Sequence, residues 1–223
     1  MSLKLFFEAI FKFLLGVVLV GIFIFVPAGS LNYWNRWIYM FVQFVPMFVV
    51  GIVMMCKSPD LLRSRLKDKE SQKEQDKVVK LSAVMFLVGF IVAGLNFRFK
   101  WSILPNWVVY FGTVTFLISY VLYAEVLREN QYLSRVIEVQ ENQTVVDTGL
   151  YGVVRHPMYA ATLILFLSIP LILGSIISFV IFLVYPLIIA RRIKFEEEFL
   201  EKELHGYVEY KEKVKYRLLP FIW

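Results

Sequence analysis

The sequence predicts an all-α fold: a polytopic helical membrane protein of about six membrane segments, closing with a helical hairpin and carrying a polar pocket on the cytoplasmic side. Three observations predict it. Hydrophobic residues make up 59% of the 223 residues and charged residues only 19%, where a soluble domain carries about 25% charged; mean hydropathy is +0.65. Uncharged apolar runs recur at 13–26, 37–56, 81–95, 107–124 and 158–190, and a spanning helix needs about 20 mostly apolar residues. Lys and Arg concentrate in alternate connecting segments, as the positive-inside rule requires of membrane proteins.

Each element follows in order. The first run extends back toward Leu5, past Glu8 and Lys12. Lys4, Lys12 and the small residues Pro27-Ala28-Gly29-Ser30 resemble a signal peptide, but Glu8 inside the run and the lack of an A-x-A site favour a retained span. The second run holds Gln43 and Pro46. After it, Ser58-Pro59-Asp60 reads as a helix start. Leu61, Leu62 and Leu66 then make either a short interfacial helix or part of a solvated loop over 57–80. The third and fourth runs are single spans. The last, 33 residues long, would reach about 50 Å as one helix at about 1.5 Å per residue, against a hydrocarbon core of about 30 Å. Pro170 and Gly174-Ser175 sit at its middle, so it reads as a hairpin of two segments, 157–173 and 175–190.

With both termini inside, every Lys and Arg of the 24 except Arg36, Arg98 and Lys100 faces the cytoplasm. The net charge of +6 is then a topology signal, and no nucleic-acid partner is expected. Trp34, Trp37, Tyr39, Trp101, Trp107 and Trp223 fall near segment ends, as an aromatic belt would. Cys56 alone can make neither an internal disulfide nor a cysteine cluster. Two histidines, His156 and His205, leave no His-rich metal site, and no metal is expected.

Two polar segments carry the chemistry. Asp147-Thr148-Gly149 reads as a turn. It leads to Arg155-His156-Pro157, with Pro157 as the first residue of a helix, whose start favours an anion. After the hairpin the chain continues as an amphipathic helix, with Arg192 and Glu196 four apart on one face. His156 also fits a plain capping role, Arg192–Glu196 a surface pair, and the basic tail a contact for anionic headgroups. Together, 138–159 and 191–217 predict one cytoplasmic pocket, suited to a zwitterionic ligand.

The motifs G-L-Y-G-V-V-R-H-P-M-Y (149–159), R-R-I-K-F-E-E-E-F-L (191–200) and G-Y-V-E-Y-K-E-K-V-K-Y-R-L-L-P-F-I-W (206–223), with the hairpin between the first two, resemble the isoprenylcysteine carboxyl methyltransferase family and the related phospholipid methyltransferases. N-F-R-F-K-W-S (96–102) and S-P-D-L-L-R-S-R-L (58–66) resemble prokaryotic members. The resemblance implies S-adenosyl-L-methionine as methyl donor, contacted by Gln140, Gln143, Thr144, Val145, Val146, Tyr151, His156, Pro157, Met158, Tyr159 and Glu196. It implies that Arg192 faces the reacting group of a lipidic or hydrophobic acceptor, such as a prenylcysteine-like carboxylate. The 140–143 segment is shorter than in eukaryotic enzymes, and Ala161 stands where many members have glycine.

A carboxylate acceptor is ionised at pH 7 and needs no base; an amine or thiol acceptor would need one, with His156 or Glu197 as candidates. Expected partners are the acceptor and membrane lipids, and the expected location is a prokaryotic plasma membrane. The expected division is 1–128, four N-terminal spans with the loop 57–80, and 129–223, the catalytic region. Three other readings compete: a phospholipid-amine or small-thiol methyltransferase, a sterol-reductase-like NADPH enzyme, and a non-enzymatic membrane scaffold. No dinucleotide fingerprint supports the reductase.

Overall fold

The computed structural model describes residues 3–66, 73–134 and 136–223. Among these residues it is helical, with no strand. The centre of the 57–80 loop, 67–72, lies outside the described residues. Helices α1 (Leu3–Ala28), α2 (Trp34–Lys57), α4 (Lys73–Phe99) and α5 (Asn106–Glu129) supply four of the expected segments. The short α3 (Pro59–Leu66) lies between α2 and α4, and α6 (Pro157–Ile172), α7 (Ile176–Phe182), α8 (Tyr185–Glu203) and α9 (Tyr207–Lys213) follow the loop after α5. Five stretches are long and apolar enough to cross a membrane: α1, α2, Asp76–Phe99, α5 and Ile176–Glu203. The shorter apolar α6 stands where the remaining expected segment falls. On α1 a nearly continuous apolar face stays exposed, from Phe7 and Phe11 to Ile22 and Val26, as suits a helix facing lipid, where apolar surface carries no penalty.

The hairpin turns between the two expected segments, at Gly174. Pro170 stays inside α6. The reversal comes at Gly174, whose φ of +69° is open to glycine at little cost. The Gly174 N–H donates to the Leu171 carbonyl and that of Ser175 to the Pro170 carbonyl, both at 3.0 Å. This pattern satisfies the carbonyls that a helix end leaves open. The returning arm is not one straight helix. It turns at Leu183–Val184 between α7 and α8, where Pro186 has no N–H to offer the Phe182 carbonyl.

Close contacts fix the bundle. A Cβ on Gly112 of α5 would lie 2.8 Å from Leu171 Cβ, and the Thr115 and Ser168 hydroxyls meet at 2.8 Å. Small residues and hydroxyl bridges of this kind let membrane helices approach closely. Phe182 of α7 presses on Gly89 of α4, and the Ser178 hydroxyl donates to the Gly89 carbonyl at 2.9 Å. Arg36, expected in a loop, sits in the first turn of α2 and is fully buried. The Phe25 and Tyr33 rings lie 4.4 and 4.3 Å from its guanidinium, a cation–π cage. It lies at the end of the bundle away from the polar segments.

At the other end, α3 turns its leucines inward. Leu61 and Leu62 are buried with Leu5, Met54, Met55, Val126, Leu133 and Tyr151, and the Lys12 ammonium donates to the Leu66 carbonyl at 2.6 Å. The expected interfacial helix is therefore the floor of the polar end.

Candidate functional site

The loop after α5 is shaped by local bonds. The Gln140 amide donates to the Tyr132 carbonyl at 2.7 Å, and its backbone N–H donates to Gln143 Oε1 at 2.9 Å. Thr148 donates to the Glu129 carboxylate at 3.0 Å. Gly149 has a φ of +52°, which favours glycine, and a Cβ there would fall 2.5 Å from that carboxyl group, which would have to move. The chain then forms a 3-10 turn (Gly149–Gly152) and enters α6 with Pro157 at its start.

Beside that entrance lies a buried charge hub on α8. Glu197 accepts from Arg155 Nε at 2.7 Å and from Arg217 Nε at 2.9 Å, and His156 Nε2 lies 3.1 Å from it. The Arg155 and His156 backbone N–H groups donate to the Tyr216 and Arg217 carbonyls at 2.9 and 2.8 Å. Arg155 Nη1 donates to the Val214 carbonyl at 2.6 Å. One carboxylate thereby joins the α6 entrance, α8 and the tail. A buried charge is tolerable when paired and hydrogen-bonded in this way.

A polar pocket opens next to the hub. Gln143, Thr144, Val145, Val146, Tyr151, His156, Met158, Tyr159, Arg192 and Glu196 line it. Three expected site residues do not: Gln140, whose amide is turned onto the loop itself, Pro157 and the buried Glu197. Pro157 has no N–H, so Met158 supplies the first one of α6. Asn130 and Tyr132, outside the expected segments 138–159 and 191–217, also line the pocket, as do Glu138, Arg155, Tyr207 and Tyr210, which lie inside those segments but were not among the expected site residues. The i, i+3 pair Tyr207 and Tyr210, just after the charged helix, was the available signal. Tyr210 donates to the Tyr151 carbonyl at 2.7 Å. The Tyr207 hydroxyl is buried and has no hydrogen-bond partner among the described residues. Burial pushes Tyr151, Tyr207 and Tyr210 above the ordinary tyrosine range, so all three remain neutral donors at physiological pH.

A second cavity, mostly apolar, runs between α4, α6 and α8. Val78, Val79, Phe86, Phe166 and Ile189 form its walls, and Arg65 and Arg192 also line it. It shares Met158, Tyr159 and Arg192 with the polar pocket. At the shared wall Arg192 Nε donates to the Tyr159 hydroxyl at 2.8 Å, and that hydroxyl donates to Glu196.

Residues 107–205 match the family model described as Phospholipid methyltransferase. This stretch, a little under half of the chain, is similar to that family. The match includes α5, the loop, the hairpin and α8, hence all thirteen expected site residues; Arg65, Tyr207 and Tyr210 lie outside it. No curated protein matches the chain. The family is one of methyltransferases, and together with the apolar spans the match supports a membrane methyltransferase. Among the described residues no group of three His, Cys, Asp or Glu side chains converges to hold a metal ion.

Proposed function

We propose that this methyltransferase uses S-adenosyl-L-methionine to methylate the head of a membrane amphiphile, with a carboxylate as the preferred acceptor. The observation that carries this reading is the shared wall: a polar pocket and an apolar groove meet at Met158, Tyr159 and Arg192.

The polar residues suit the donor's chemistry. Glu196 balances an ammonium. The start of α6 favours a carboxylate, and the Tyr207 hydroxyl, unpartnered among the described residues, supplies a hydrogen bond to a ribose or carboxylate oxygen. Val145, Val146, Leu200 and Leu204 offer an apolar face to a base. When bound, the donor supplies an electrophilic methyl group on a sulfonium. The chain's share is orientation, which can supply much of a methyl transfer's acceleration. Arg192 holds the acceptor carboxylate, and the groove takes the tail. Such an acceptor needs no base, which agrees with the engagement of Glu197 by Arg155, His156 and Arg217.

A second reading, a phospholipid amine as acceptor, is favoured by the family's name. In both readings 129–223 is the catalytic region, 1–128 the membrane scaffold, and the pocket end faces the cytoplasm of a prokaryotic cell.

Calorimetric titration of the detergent-purified protein tests the donor. Saturable S-adenosyl-L-methionine binding is expected, lost in folded Glu196→Ala and His156→Ala. Unchanged affinity in both variants overturns the site, and binding of NADPH instead overturns the donor. Methylation of a prenylcysteine analogue, and not of phospholipid amines or thiols, is the expected acceptor result; the reverse establishes the second reading.

A further inference from the structure

The apolar groove has a cation that the matched region does not contain. Arg65, on α3, is half-buried and lines the groove. It follows the buried Leu61 and Leu62 by four and three residues, so it shares their inward face. Arg63, two residues earlier, is turned to solvent and pairs with Asp60 at 2.7 Å. Among the described residues Arg65 has no such acid. Its Nη1 donates to the Ser134 carbonyl at 3.0 Å and lies 3.7 Å from Met158 Sδ; its Nη2 donates to the Tyr123 hydroxyl. Among the described residues no carboxylate pairs with Arg65, and none of those lining the groove is Asp or Glu. The charged residues among its described lining are two arginines, Arg65 and Arg192. A guanidinium drawn partly out of water without a counter-charge is costly, and its fork geometry matches a carboxylate or phosphate.

We infer that Arg65 is a specificity-determining residue, selecting amphiphiles whose headgroup carries an anion, a carboxylate or a phosphate. The inference rests on the reading of the groove as the acceptor's site. Arg192 faces the reacting group at the shared wall, and Arg65 engages the same head from the α3 side. An amphiphile of equal chain length with a neutral head loses this contact.

The test is equilibrium binding without methyl donor, in neutral-detergent micelles, so it does not depend on turnover. Three probes are compared: a prenylcysteine carboxylate, its neutral methyl ester, and an alkyl phosphate of similar length. Arg65→Gln is expected to weaken at least one anion about tenfold or more, the scale of a lost charge-assisted hydrogen bond. The ester's affinity and that of S-adenosyl-L-methionine stay within about twofold by the same scale, and Arg65→Lys restores part of the anion's binding. Loss for the carboxylate alone, or for the phosphate alone, identifies which anion Arg65 reads. Equal loss for the ester and the anions assigns Arg65 a structural role and overturns the inference, as does no loss for either anion. Anion binding that depends on Arg65 in a protein that transfers no methyl group would leave the inference standing and overturn the proposed activity.

Discussion

The Tyr159 hydroxyl accepts a hydrogen bond from Arg192 Nε at 2.8 Å while donating to Glu196, and so ties a cation of the apolar groove to an anion of the polar pocket through one oxygen. Removing that oxygen breaks two bonds to charged groups, each worth about 1.5–3 kcal/mol. Tyr159→Phe is expected to slow methyl transfer roughly 10–100-fold, with a smaller change in donor affinity. Single-turnover kinetics beside a binding isotherm separates the two. An equal loss in both would mean that the hydroxyl serves binding only.

Tyr207 offers a contrasting case. Its hydroxyl is buried beside the pocket without a partner among the described residues, so Tyr207→Phe removes no internal bond there. Donor affinity is expected to fall about 2–12-fold, the range for a neutral hydrogen bond. The thermal unfolding midpoint is expected to hold or rise, since an unsatisfied polar group disappears from the interior. A drop in the midpoint with unchanged affinity would make the residue structural.

Glu197 is expected to matter for stability before chemistry. Glu197→Ala leaves Arg155 buried without its carboxylate and cuts the tail's Arg217 loose. Breaking a buried pair in this way costs about 3–5 kcal/mol. A fall in the unfolding midpoint, faster proteolysis of the tail and loss of donor binding should appear together. A stable variant that lost only activity toward amines would instead make Glu197 a base.

Asp147 predicts a pH dependence. The Lys213 ammonium donates to it at 2.6 Å and holds its carboxyl below the usual range. A carboxyl more acidic in the folded chain stabilises the fold above its unfolded value and stops doing so as pH falls through the folded one. Wild type should therefore be more stable than Asp147→Asn at pH 7, and the gap should close on acidification below the ordinary carboxylate range. A gap that widens toward acid would contradict the assignment.

The membrane segments and the hairpin were legible in the sequence because their causes are local. Apolar runs, Pro157 at a helix start and Gly174 at a reversal act through neighbours within a turn or two of chain. The motif around Arg155-His156-Pro157 and the Arg192–Glu196 spacing pointed to one pocket for the same reason: each lies within a single element. The spacing of Leu61, Leu62 and Leu66 described an amphipathic helix equally well whether its apolar face met lipid or protein. Only contact with Leu5, Val126 and Tyr151 decided that it faces inward, and with it that Arg65 enters the groove.

Long-range partners settled the rest. Gln140 is turned away from the pocket by Tyr132, and Glu197 is claimed by residues on α6 and in the tail. Tyr207 is placed at the pocket by the fold of α9 against α8. The periodicity of a chain records which side of a helix is apolar. Which charge meets which is settled by helices far apart in sequence, where burial makes every unpaired polar group costly.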